Sequence, residues 1–160
     1  MQLNPCFEIE LTVAAPIPAG GRGGIGTVCI TILDGKVTSL NPEKYPITGT
    51  VKGGSDWISS DQENHVNYLN VNCVATLPSG APCHIEYKGV MNLNEKLAPV
   101  FAGQEVDGQY GDSEYYVGIL AHTPSTDPKE NWVNKTMFFG RGKLQSLGGT
   151  PKVFYEVYAP

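Results

Sequence analysis

Apolar and polar side chains alternate along much of the chain. In "FEIELTV", Phe7, Ile9, Leu11 and Val13 fall on one side of an extended strand and Glu8, Glu10 and Thr12 on the other. That period of two marks a strand with one wet face. "NYLNVNCVATL" repeats it: Leu69, Val71, Cys73, Ala75 and Leu77 alternate with Tyr68, Asn70, Asn72, Val74 and Thr76. "PSGA" at 78–81 breaks this run and "CHIEYKGVM" resumes it, so residues 66–91 read as one long antiparallel hairpin. "EYYVGILAH", "MFFGRGKL" and "KVFYEVYAP" supply further strands toward the C-terminus, and the Asp34-Gly35 pair in "ILDGKV" reads as a hairpin turn. About eight or more short strands with no alternating helices predict an all-β, single antiparallel closed β-barrel. Closure would pair the first strand with the last and leave no open sheet edge.

One stretch breaks the pattern. In "STDPKENWVNK", Asp127 precedes Pro128 and is followed three residues later by Glu130. This is the signature of an N-cap, a first-turn proline and a capping-box partner. A short helix over about 128–135 is expected, and its economical position is across one mouth of the barrel, with Trp132 closing that end.

Composition narrows the class. The chain has 160 residues, 41% of them hydrophobic, enough for one core, so residues 1–160 are expected to form a single domain. Its 19 glycines and 12 prolines punctuate the strands and read as turns. A formal net charge of −5 with no basic cluster argues against nucleic acid as a partner. No apolar run is long enough to span a bilayer, and "MQLNPCFEIELTV" lacks the features of a signal peptide. A cytoplasmic location with no membrane partner is therefore expected, and with it four reduced cysteines, Cys6, Cys29, Cys73 and Cys83.

The common catalytic motifs are missing. "GGRGGIG" at 20–26 lacks a P-loop lysine and reads as a loop, and His65, His84 and His122 show no metal spacing. No metal and no cofactor are expected. What remains is polar and aromatic strand faces: Tyr68, Asn70 and Asn72; His84, Glu86 and Lys88; Tyr116, Gly118, Leu120 and His122; and Phe154, Glu156 and Tyr158. Pointing inward, they would line a cavity for a small molecule; pointing outward, they would be solvated, and the pattern leaves both open. The inward arrangement predicts a site of Tyr68, Lys88, Tyr116, His122 and Tyr158, with His122 as proton carrier, Lys88 as its electrostatic partner and Tyr116 as a further donor.

"GGSDW" at 53–57, "IEYKGV" at 85–90, "YYV" at 115–117, "TDPKENWVNK" at 126–135 and the closing "VFYEVY" together resemble the uncharacterised family called domain of unknown function three-two-three-seven. The resemblance runs from about Leu11 onward. It implies a lipocalin-like or calycin-like barrel of about eight to ten strands that self-associates, here as a homodimer, and it implies no particular reaction. Carried over by motif, Asp56, Trp57, Lys88, Trp132 and Asn134 are the positions it marks, with Asn72 beside them in the expected substrate site. Asp56 and Asn134 could equally be structural caps. The family favours arginines where this chain has Asn72, Lys88, Gly118 and His122, which implies a less cationic site and a more neutral substrate.

Three functions follow. The first is an enzyme of secondary metabolism, an isomerase, dehydratase or cyclase, a pericyclic reaction included, that shapes an aromatic, polyketide-like or terpenoid-like substrate and moves protons. The others are a non-catalytic carrier of a lipophilic ligand and a structural or interaction module whose lumen is filled by its own side chains.

Overall fold

The structure is a computed structural model that describes residues 1–160, the side chain of Phe101 excepted. Ten strands follow one another along the chain: β1 (Asn4–Val13), β2 (Ile17–Arg22), β3 (Ile25–Ser39), β4 (Gly49–Asp61), β5 (Val66–Thr76), β6 (Pro82–Asn92), β7 (Val106–Asp107), β8 (Tyr115–His122), β9 (Met137–Leu147) and β10 (Thr150–Ala159). Eight of them, in the order β1-β10-β9-β8-β6-β5-β4-β3, close into an antiparallel barrel when β3 pairs back onto β1. The first strand pairs with the last, Ile9 opposite Tyr155, as closure demands. β5 and β6 form the expected long hairpin, from Val66 opposite Asn92 to Thr76 opposite Pro82.

Two turn readings change. Asp34-Gly35 is not a hairpin; β3 continues through it without a break. Thr12 pairs with Asp34 while Val13 pairs with Ile32, so Leu33 is an extra residue that bends the strand from its β2 partner toward β1. Gly35 is required there, because a Cβ would stand 2.2 Å from the Glu10 carbonyl oxygen. The real hairpin turn is Gly23-Gly24, with φ of 61° and 82°, between β2 and β3 in the stretch read as a loop.

The lumen is packed with the apolar face of each strand, including Ile9, Leu11, Val71, Ile119, Phe138 and Val157, all fully buried. An eight-stranded barrel is just wide enough for its own side chains to fill. Helix α2 (Pro128–Asn131) and the 3-10 turn Trp132–Lys135 close one end, as expected. Asp127 caps the helix by accepting from the Lys129 N–H at 2.8 Å. Glu130 does not complete a capping box. It is buried and accepts instead from the N–H and hydroxyl of Ser79 at 3.0 and 2.6 Å, tying the helix to the β5–β6 turn. Val133 is the most deeply buried plug residue, and Trp132 packs beside it against Phe138 and Tyr45, each ring pair 5.6 Å apart. At the opposite end, helix α1 (Ala98–Phe101), which carried no sequence signal, follows Leu97, a buried member of the core.

The four cysteines are free, and no helix is long and apolar enough to cross a membrane among the described residues. Burial of Cys6 and Cys73 pushes each thiol up to about 12, which makes them inert packing groups.

Candidate functional site

The expected site is turned inside out. Tyr68, Lys88, Tyr116 and His122 lie on the outer face of the barrel, since their strand neighbours Leu69, Tyr87, Val117 and Ala121 take the inner positions. Tyr68 stands opposite Val90, which stands opposite Tyr116, which stands opposite Arg141, in one row across four strands. Lys88 lies in the next outer row, between Asn70 and Gly118. His122 Nε2 is 3.9 Å from Glu86, and Asn72 bonds His84 at 2.9 Å, both on the wet side. Tyr158 sits near the Arg141–Glu156 ion pair on the same outer surface. A side chain facing water is solvated and cannot line a lumen, and in strands of period two a reading displaced by one residue moves the whole set.

The remaining expected positions separate. Trp57 is exposed, and Trp132 belongs to the plug. Asn134 is a clamp: its amide oxygen accepts from the Thr123 N–H at 2.8 Å while its amide nitrogen donates to the Thr123 carbonyl at 2.9 Å. That joins the 3-10 turn to the segment leaving β8. Asp56 alone faces inward.

Local register explains Asp56. Val51 pairs with Ala75 and Gly53 with Val74, leaving Lys52 as an extra residue, and Gly53 takes φ of 150°. The bulge shifts the inward set of β4 from odd to even positions, so Asp56 and Ile58 are buried while Trp57 is not. Asp56 is 8% exposed, and one hydrogen bond reaches its carboxylate, from the Asn70 N–H at 3.3 Å. Burial, opposed in part by that bond, pushes its carboxyl up to about 6.

Three tyrosines share its chamber. Tyr87, Tyr115 and Tyr155 are fully buried on β6, β8 and β10 and, with Asp56, line an internal cavity of about 50 Å³. The hydroxyls of Tyr115 and Tyr155 hydrogen-bond each other, and the ring of Tyr155 meets those of Tyr87 and Tyr115 edge-on at 4.9 and 5.5 Å. Glycine makes room: a Cβ on Gly142, opposite Tyr155 in the register, would stand 2.5 Å from the Tyr115 ring. Burial raises all three phenols well above their ordinary range, so each remains a proton donor near neutrality. The arrangement is a carboxyl able to exchange a proton near neutral pH, beside phenols fixed in their donor form.

Reading the sequence found Asp56 through the resemblance and missed the tyrosines. Each sits at an apolar position of its strand, as in Tyr115-x-Val117-x-Ile119 and Val153-x-Tyr155-x-Val157. The signal available was three tyrosines on otherwise apolar stripes, where a phenol needs a partner.

The family model described as "Protein of unknown function (DUF3237)" matches residues 1–159. Among solved structures, a conserved protein of unknown function from Rhodopseudomonas palustris is 21% identical with a TM-score of 0.81, covering 99% of this chain and 98% of its own. A β-barrel-like protein from Acinetobacter baumannii is 22% identical with a TM-score of 0.71, over 99% of this chain and 94% of its own. An enzyme from Penicillium herquei is 15% identical with a TM-score of 0.62, over 98% and 93%. These likenesses show the barrel fold. No curated protein matches the sequence.

Proposed function

The chain belongs to the family described as Protein of unknown function (DUF3237), whose description assigns no reaction, and we propose that this member is a barrel enzyme that moves a proton on a small carbonyl or phenolic molecule. The observation that carries the reading is Asp56, a buried carboxyl with a single long hydrogen bond, set among three buried tyrosines. Its carboxylate takes a proton from the carbon next to a carbonyl: the C–H bond breaks, an O–H bond forms on Asp56, and the electron pair moves to the carbonyl oxygen. A tyrosine hydroxyl donates a hydrogen bond to that developing enolate. Asp56 then returns the proton to the same carbon or to one further along the conjugated system, giving exchange or isomerisation, and no electron leaves the substrate. The fold likeness to an enzyme from Penicillium herquei is compatible with catalysis in such a barrel.

The competing reading is a filled barrel with structural work only. The size of the cavity, about 50 Å³, favours it, because a ring enters only if Leu69 and Met91, which also line the space, move aside. Methionine is well suited to such movement. Solvent deuterium incorporation into 2-tetralone, followed by mass spectrometry, separates the two. A proton-transfer enzyme exchanges the ketone's acidic carbon positions, and Asp56→Asn slows this about 100-fold. Exchange no faster than buffer supports the filled barrel.

A further inference from the structure

The end of the barrel away from the plug carries a groove of about 660 Å³, within the range of small-molecule sites. It lies between the β4–β5 turn and the segment that follows β6. Both walls are built. Asp61 accepts from the Asn64 N–H at 3.1 Å, and His65, the one non-glycine residue with positive φ among those described (54°), accepts through its carbonyl from the Leu93 N–H at 2.8 Å. On the other side, the Asn94 side-chain oxygen accepts from the backbone N–H groups of Lys96 and Leu97 at 3.0 and 3.2 Å, holding the start of α1.

Asn67 lines this groove from an inward position of β5 and is 5% exposed. Its Oδ1 is covered and has no hydrogen-bond partner. A buried amide oxygen left unpaired is costly. The other buried unpartnered polar atoms, Tyr45 Oη and Trp132 Nε1, belong to side chains that pack together at the plug end, and neither lines the smaller groove of about 380 Å³ found there. Asn67 therefore sets an unmet, covered acceptor beside a space of ligand size, and rotation of its amide brings that oxygen to the groove.

The lining sets the chemistry. Glu95 and His65 are its ionisable groups, no lysine or arginine lines it, and Leu93 and Ala98 supply apolar surface. With a net charge of −5 on the chain, an anion is repelled. We propose that Asn67 is a specificity-determining residue at the barrel mouth, where its amide oxygen accepts a hydrogen bond from the hydroxyl of a neutral molecule with an apolar body. This rests on the lumen being the substrate site and adds how the substrate is held at its outer end. Asn67 pairs in register near Ser60, four residues along β4 from Asp56, so the two polar points are roughly 13 Å apart along the strands. A molecule of two or three fused rings, its hydroxyl at Asn67, reaches toward the tyrosine chamber.

The test uses a matched pair, 2-naphthol and 2-methoxynaphthalene, which differ by the hydroxyl proton. They are titrated into the whole chain while the Asn67 side-chain amide is followed by nitrogen–proton NMR. The expected result is saturable binding of 2-naphthol that moves the Asn67 amide resonances, at least tenfold weaker binding of the methyl ether, and loss of that discrimination in Asn67→Leu. Asn67→Leu removes the unpaired amide, so it folds at least as stably as the parent, and its thermal midpoint checks this. No binding of 2-naphthol to the parent, or equal affinity in parent and Asn67→Leu, overturns the proposal. Asp56→Asn separates the two readings. If it abolishes tetralone exchange while Asn67→Leu leaves naphthol binding unchanged, the mouth subsite is wrong and the lumen reading stands. If Asn67 controls binding and Asp56→Asn leaves exchange unaltered, the mouth subsite stands and the lumen chemistry falls.

Discussion

Tyr115 and Tyr116 are consecutive residues of one strand, yet the first is 2% exposed and the second 56%. Tyr115 is hydrogen-bonded to Tyr155 in an apolar chamber, while Tyr116 stands in a wet outer row between Val90 and Arg141. The same contrast separates Tyr87 from Lys88 and Asp56 from Trp57. It teaches that in this barrel the candidate site lies on the stripe that looks apolar. Polar groups are common on the outer face because water satisfies them there, whereas each polar group on the inner face costs free energy unless it is paired, and so signals a role.

The largest break in the comparison comes from truncation. Tyr115→Ala, which empties a ring from the chamber, is expected to cost ~4 kcal/mol in urea denaturation, and Tyr116→Ala less than about 0.5 kcal/mol. Similar losses at both positions would mean that the two faces are not distinct.

Asp56→Asn is expected to stabilise the protein, with a defined dependence on pH. Folded Asp56 holds its proton more tightly than an unfolded aspartate, so the folded state loses stability as pH rises from about 3.8 to about 6. Asparagine keeps an acceptor for the Asn70 N–H and has no such loss. The advantage of the variant is near zero below pH 4 and grows to as much as about 3 kcal/mol above pH 6, at 1.4 kcal/mol per unit. Denaturation at several pH values measures it, and a constant difference would contradict the buried carboxyl.

Glycines sharpen the contrast further. Gly142→Ala drives a methyl into the Tyr115 ring and is expected to cost ~2 kcal/mol, whereas Gly118→Ala, on the outer face with its nearest neighbour the Met137 methyl at 3.8 Å, should be neutral or mildly stabilising. A smaller loss belongs to the plug, where Asp127→Ala removes the bond to the Lys129 N–H at an exposed helix start and costs ~1 kcal/mol by thermal denaturation.

The barrel was legible because period-two alternation and the pairing of "FEIELTV" with "VFYEVY" follow from local pattern and edge closure. The plug was legible because Asp127-Pro128 carries a capping signal in itself. The site was not, for a reason of register: an inserted residue at Lys52, which no pattern announces, decides that Asp56 rather than Trp57 looks inward. Glu130 likewise kept its helical position and changed its partner, because Ser79 is near only once the β5–β6 hairpin has folded. Asp34-Gly35 misled because the same flexibility that makes a hairpin turn also lets a long strand bend where a barrel closes.

The central claim is that Asp56 is a buried carboxyl exchanging its proton near neutrality inside the tyrosine chamber. Carbon-detected NMR of the aspartate side-chain carboxyls, titrated from pH 3 to 8, tests it directly. The account predicts that the Asp56 signal titrates at about 6, and that it moves when Tyr155→Phe removes a neighbouring hydroxyl. An Asp56 midpoint near 4, unaffected by Tyr155→Phe, would contradict it.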